Sequence, residues 1–242
     1  MFTVALIGPD GAGKTTVARR LEHSLDLPAK YLYMGVNWDA SDHLLPSTRL
    51  IQAIRRARGK DSGPGGPPEL PSKPTRSDPV SRRILRSGWR ALSLANRLAE
   101  EWYRQILAWR YVRRGVIVVF DRHFFSDYHA SDVVGDVQSS WGRRLHGLLL
   151  SRVYPKPSLV IFLDAPPALL LARKGEGTLE SLERRRQDYL ALAAHTPHFV
   201  TLDASRPLEE VVRDVADTIE SFAASGGGRG SSPQKRAADD GR

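Results

Sequence analysis

The 242-residue sequence contains no cysteine. That excludes a disulfide framework and any thiolate-held metal, and it is compatible with a reducing cytoplasm. No apolar run approaches the roughly 18 residues that a membrane-crossing helix needs, so a protein working away from the bilayer, in the cytoplasm, is expected. A secretory leader is not expected either, because a strand-like run starts at Phe2. Internal repeats are absent. Acidic residues are in the minority, 27 Asp and Glu against 36 Lys and Arg, for a net charge of +9. This balance suits anionic partners, but any phosphate pocket needs positive charge of its own, so the figure alone does not indicate nucleic acid. The length is right for one large α/β domain with a substantial core.

What is present begins with Gly8-Pro9-Asp10-Gly11-Ala12-Gly13-Lys14-Thr15, directly after the apolar run Phe2-Thr3-Val4-Ala5-Leu6-Ile7. The segment satisfies G-x-x-x-x-G-K-[ST] between a strand and a helix, the context in which that pattern cradles phosphate. Its glycines let backbone N–H groups converge on phosphate oxygens, and the following helix adds the positive end of its dipole. Lys14 is placed for the β- and γ-phosphates and the Thr15 hydroxyl for Mg²⁺. Binding of a nucleoside triphosphate, ATP with Mg²⁺, is therefore expected.

Apolar, β-branched runs recur at 2–7, 29–34, 115–120, 158–163 and 198–202, separated by amphipathic stretches. This is the pattern of a parallel sheet covered by helices, and it predicts a three-layer α/β/α P-loop domain with five parallel strands. Helices are expected at 13–26, 42–58, 81–113, 137–153, 166–173, 178–194 and 207–223, the long third one with a bend or break near Gly88. Residues 59–79 are too rich in Pro and Gly to continue either flanking helix, and 224–242 offer nothing to bury. The domain is thus expected over 1–223, with a flexible insertion and a disordered tail.

Asp121-Arg122-His123 follows the third strand, at the sheet end where ligands of open α/β folds bind. A carboxylate there can hold a Mg²⁺-bound water or accept a proton, and the adjacent guanidinium can grip phosphate. Asp164, in Leu163-Asp164-Ala165-Pro166-Pro167, reads most simply as the cap of the next helix. Arg173 and Lys174 precede a glycine-rich stretch, as in a mobile cationic loop. Arg86, Arg90, Arg97 and Arg104 share one helical face, and with Glu100 and Glu101 beside them the expectation is a solvated, partly paired surface.

Taken in order, these segments resemble the thymidylate kinase branch of the P-loop nucleoside monophosphate kinases. Gly8 to Thr16 is close to the family's G-x-D-G-A-G-K-[ST]-T, Ser93-Leu94-Ala95-Asn96-Arg97 to its A-A-D-R, and Val118 to Ser126 to its strand, D-R-Y and Ser. Leu163 to Pro167 resembles its L-D-x-P-P. The likeness continues through Tyr189 to Ala193 and Val200 to Ser205. It implies phosphoryl transfer from ATP to a nucleoside monophosphate. Gly8, Asp10, Gly11, Ala12, Gly13, Lys14, Thr15 and Thr16 would hold the ATP phosphates, Ser205 and Arg206 would border adenine, and Thr15 and Asp121 would hold Mg²⁺. Asp10, Arg97, Asp121 and Arg122 would face the acceptor, Arg173 and Lys174 would neutralise the transferred charge alongside Lys14 and Arg122, and Asp121 would complete the catalytic set.

The family's R-E-P-G-G run after the second strand is missing; Tyr33-Met34-Gly35-Val36-Asn37-Trp38-Asp39 stands there instead. This departure lies on the acceptor side and keeps two alternatives open. One is a kinase of a nucleoside or other small hydroxyl compound, with Asp121 as base. The other, less favoured, is a nucleic-acid-associated P-loop ATPase. A homodimer is compatible with all three readings.

Overall fold

The computed structural model describes residues 1–35, 43–57, 80–123 and 154–227; within these, side chains at 51, 52, 54–56, 80–87, 89–91, 93, 94 and 97 are not described. The expected insertion at 59–79, the helix at 137–153 and the tail beyond 227 lie outside the described residues.

The β-branched runs form strands as anticipated. In chain order the elements are β1 (Thr3–Ile7), α1 (Lys14–Ser24), β2 (Ala29–Tyr33), α2 (Pro46–Ala57), α3 (Val80–Arg113), β3 (Ile117–Asp121) and β4 (Leu159–Asp164), then α4 (Pro167–Lys174), α5 (Leu179–Ala191), β5 (Phe199–Asp203) and α6 (Leu208–Ala224). The strands make one sheet in the order β2-β3-β1-β4-β5, every neighbouring pair parallel. Strand β3 begins and ends later than its apolar run suggested, so Asp121 is the last strand residue instead of the first loop residue. Helix α3 runs unbroken through Gly88.

Alternation along each strand sends side chains to two separate cores. Val4, Leu6, Ile117, Val119, Ile161 and Leu163 pack with Val17 and Leu21 of α1, Leu170 of α4 and Val211, Val215 and Ile219 of α6. Ala5, Ile7, Val118, Phe120, Val160 and Phe162 pack on the opposite face with Ala108 of α3, Tyr154 and Leu192. Buried on both faces, the central strands are apolar throughout, as parallel sheets require. Two helical layers with the sheet between them make the expected three-layer architecture. In register, Leu6 of β1 lies beside Asp121 of β3, and Tyr33 of β2 also lies beside Asp121. The carboxyl ends of β1, β2 and β3 therefore meet at one edge, where the glycine-rich loop leaves β1.

Candidate active site

The loop from Gly8 to Gly13 is shaped by residues that only glycine suits. Gly8, Gly11 and Gly13 have φ of +149°, +90° and +83°, conformations that side chains with a Cβ resist. A Cβ on Gly11 would sit 2.6 Å from the Leu170 carbonyl oxygen of α4, so no side chain projects from the loop at that point. Gly13 is the N-cap of α1, and the first amides of the helix open toward the loop. Lys14, buried, donates from Nζ to the Pro9 carbonyl at 2.6 Å and lies across the loop it belongs to.

Thr15 Oγ1 donates to Asp121 Oδ2 at 2.6 Å, joining α1 to the end of β3. The Tyr31 hydroxyl donates to the same oxygen at 3.2 Å. Burial first, and Asp121 second, push the Tyr31 phenol well above its usual range, so it remains a donor. Asp121 is fully buried, and among the described residues its Oδ1 has no hydrogen-bond partner. A buried carboxylate oxygen left in that state calls for a further cationic or protic partner. Thr15 and Asp121 offer one hydroxyl and one carboxylate, the sparse oxygen set on which Mg²⁺ sits when phosphates and waters complete its shell. Among the described residues there is no group of three or more His, Cys, Asp or Glu able to enclose a metal. The residues present fit Mg²⁺ held jointly with a polyphosphate.

Asp10, at the tip of the loop, gathers cations from three elements. Arg122 Nη2 lies 2.6 Å from Oδ1, Arg185 Nη1 of α5 lies 2.7 Å from Oδ2, and Lys174 Nζ at the end of α4 lies 3.6 Å from Oδ1. Burial alone would raise the Asp10 pKa, but Arg122, Lys14 and Lys174 outweigh it and hold the carboxyl far below the usual carboxylate range. Arg122 is set by an unusual backbone: its φ is +68°, left-handed for a non-glycine residue. Its amide nonetheless donates to the Leu6 carbonyl at 3.1 Å, extending the β1–β3 ladder by one rung. Strain of this kind persists where the surroundings over-determine it, and it clusters at functional sites.

The structure thus brings Asp10, Lys14, Thr15, Asp121, Arg122 and Lys174 to one end of the sheet. Arg173 is placed apart from that group: its guanidinium donates to the carbonyls of Ala204 and Ser205, at 2.8 and 3.4 Å, tying α4 to the loop after β5. In that loop Ser205 donates from N and Oγ to Asp203 Oδ1, while Arg206 pairs with Asp214. The exposed Thr16 sits on α1, next to Thr15. The side chain of Arg97 lies outside the described residues. His123 is buried, its ring 5.3 Å from Phe120 and 5.9 Å from Tyr154, and burial lowers its pKa to about 3, so it is a neutral packing group.

Two expectations are corrected. Asp164 does not cap α4; the N-cap is Pro166 and no side-chain cap is made. Asp164 instead accepts a bidentate pair from Arg186 of α5, Nε to Oδ1 at 2.6 Å and Nη2 to Oδ2 at 2.8 Å. The arginine face of α3 is not a solvated surface at its described end, because Arg104, Glu100 and Glu101 are all buried. The sequence reading also missed Arg185 and Arg186. Their signal was the run Arg184-Arg185-Arg186, whose successive side chains point about 100° apart around a helix and so reach different partners.

The model of the family described as thymidylate kinase matches residues 90–215. The thymidylate kinase of Haemophilus ducreyi is 32% identical over 123 residues, covering 45% of this chain and 54% of that protein. Probable thymidylate kinases of Archaeoglobus fulgidus and Staphylothermus marinus are each 36% identical, over 120 and 118 residues, covering 46% and 45% of this chain and 57% and 55% of theirs. The chain spans about half the length of the curated relatives it matches. The family match begins on α3, so the glycine loop stands on its own pattern and geometry.

Proposed function

The chain belongs to the thymidylate kinase family, and on that premise we propose that it transfers the γ-phosphoryl group of ATP to the phosphate of a nucleoside monophosphate. The observation that carries this reading is the single constellation at the carboxyl ends of β1 and β3: a glycine cradle, Lys14, the Thr15–Asp121 hydrogen bond and the Asp10–Arg122 pair. Lys14 leaves the Pro9 carbonyl for the β- and γ-phosphates. Thr15 and Asp121 would hold Mg²⁺, which would supply charge neutralisation when bound with ATP. An oxygen of the acceptor phosphate bonds to the γ-phosphorus as the bond to the β–γ bridging oxygen breaks, and ADP leaves with that electron pair. The acceptor oxygen is already ionised at neutral pH, so no general base is required. Catalysis is then positioning and charge neutralisation, by Lys14 and Arg122, with Lys174 from the end of α4. Arg185 joins them because its guanidinium already reaches the loop tip. Asp10 and Arg97 are assigned to the acceptor side, and Ser205 and Arg206 to the adenine side with Gly8, Gly11, Ala12, Gly13 and Thr16 around the phosphates. Arg173 would steady the loop assigned to adenine through the Ala204 and Ser205 carbonyls.

We extend the proposal to a kinase domain over 1–223 working in the cytoplasm. Among the described residues no helix is long and apolar enough to cross a membrane, and a cysteine-free chain is indifferent to a reducing compartment. The test is an ATP-to-ADP coupled assay with a panel of nucleoside monophosphates, nucleosides and small alcohols. Turnover with a monophosphate supports the reading. Turnover with a nucleoside or alcohol only would replace it, with Asp121 then acting as base.

A further inference from the structure

The mechanism above makes no use of the most deeply buried ion pair described, Glu100 with Arg104. Both sit on the inner side of α3, one turn apart, with side chains about 2% and 1% exposed, and Arg104 Nη2 lies 3.5 Å from Glu100 Oε2. Taking two charges out of water costs more than their attraction returns unless both are held by further hydrogen bonds, so such a pair is poor evidence of stability. The further bonds show where it acts. Arg104 Nη1 donates to the Gly35 carbonyl at 2.9 Å, two residues after β2. Glu100 Oε1 accepts from the Leu45 amide at 2.8 Å, immediately before α2. One ion pair therefore grips both ends of the connection between β2 and α2, which is where this sequence lacks the family's R-E-P-G-G run. Gly35 also adjoins the site itself: a Cβ there would lie 2.7 Å from Arg122 Cδ and 2.5 Å from the Tyr33 hydroxyl. The Met34 amide beside it donates to the Asp121 carbonyl at 3.1 Å.

We propose that Glu100 and Arg104 are positioning residues for the phosphoryl acceptor, fixing Gly35 and Leu45 so that the Arg122 side chain packed against Gly35 is presented to the acceptor in one arrangement. The two bonds of the pair run to Gly35 and Leu45, outside the glycine loop, so the pair governs acceptor binding and leaves ATP binding alone. This inference rests on the kinase reading given above.

The test is steady-state kinetics of Arg104→Met, Arg104→Lys and the double variant Glu100→Leu/Arg104→Met, with the best monophosphate of the panel. Arg104→Met raises the acceptor KM about tenfold or more, while the KM for ATP stays within about twofold, the split expected when only one substrate's binding is disturbed. Arg104→Lys keeps a charged donor for Gly35 and recovers most of the loss. Should Arg104→Met strand Glu100 and fail to fold, the double variant decides, because replacing both partners of a buried pair with apolar groups is tolerated. Equal rises in both KM values, or no rise in either, overturn the proposal while the kinase reading stands. A wild-type chain that phosphorylates no monophosphate overturns both, and is recognised because the failure is already present before any substitution.

Discussion

Replacing Asp121 with Asn separates the structural role of this carboxylate from its chemical one. Asn has the same shape, and its amide oxygen can still accept from Thr15 at 2.6 Å and Tyr31 at 3.2 Å, the two bonds now made to Oδ2. Each bond weakens when its acceptor loses its charge, by about 1 kcal/mol. Against this, a fully buried carboxylate whose Oδ1 has no partner among the described residues no longer has to be desolvated, which returns a similar amount or more. The thermal midpoint of the free protein should therefore move by no more than a few degrees, and in either direction. The response to ligand should change far more. For the wild type, Mg-ATP at a hundred times its Kd stabilises by about 2.7 kcal/mol, or roughly 5–11 °C for a domain of this size.

Loss of a buried charge that meets a charged partner typically costs about 2–5 kcal/mol of binding. A loss of ~2.7 kcal/mol, near the low end, weakens Kd a hundredfold and leaves a stabilisation of only ~0.4 kcal/mol at the same ligand concentration. The assay is differential scanning calorimetry of wild type and Asp121→Asn, each with and without Mg-ATP. A variant that melts like wild type when free and gains a degree or two at most with ligand fits the reasoning. A variant that keeps the full ligand-induced shift would show that Asp121 does not face the metal–nucleotide complex. A free variant that melts far below wild type would show that the carboxylate is held for structure.

Four further outcomes are expected. Lys14→Ala should lower kcat about 10²–10³-fold, the typical cost of one lost charge-stabilising donor, measured by the coupled assay. Arg186→Ala removes a bidentate partner from half-buried Asp164 and should cost about 1–2 kcal/mol, seen as a lower urea midpoint with unchanged slope. Because burial holds His123 neutral, with a pKa near 3 against 6.5 when unfolded, the unfolded chain binds the extra proton. This contribution to stability is complete above pH 6.5 and declines as pH falls toward 3, by up to about 1.4 kcal/mol per pH unit; His123→Phe should flatten that stretch of a stability–pH curve. Phe162→Ala, at a fully buried site in the core between sheet and α5, should cost about 3–5 kcal/mol in the same denaturation experiment.

The strands and the glycine loop were legible because their signals are local. Val116 to Phe120 and Leu159 to Leu163 are unbroken β-branched or apolar runs, and burial on both faces of a parallel sheet demands nothing more subtle. Gly8 to Thr15 carries its geometry in its own residue types. What escaped was pairing across distance. Periodicity placed Arg104 and Glu100 on one face of α3 correctly, yet it carries no information on what covers that face, and the face is closed by Gly35 and Leu45, 69 and 55 residues away. Asp164 sits before two prolines, a local pattern for a cap, but its partner arrives from α5, 22 residues later. Arg185 meets Asp10 across 175 residues, and nothing within either segment announces the other. Local chemistry names the side chains of a site; the strand order 2-3-1-4-5 decides which of them meet.

Asp10 shows what that meeting accomplishes. Lys14, Arg122, Lys174 and Arg185 bring four positive charges around the loop. Against them stand Asp10 and Asp121, and Glu176, whose Oε2 lies 2.8 Å from Lys174 Nζ. A site with only the cations would repel itself, since two like charges about 4 Å apart cost about 4 kcal/mol at an effective dielectric of 20. Asp10 relieves that repulsion by sitting between Arg122, Arg185 and Lys174, each drawn from a different element. The loop cannot carry a cation of its own at position 11, because any side chain there would run into the Leu170 carbonyl of α4. Further positive charge arrives from α4 and α5, and Asp10 holds it at the loop tip. On the proposed reading, a polyphosphate entering the cradle would offer these cations more negative charge than one carboxylate does, and Arg185 and Lys174 would pass to it from Asp10.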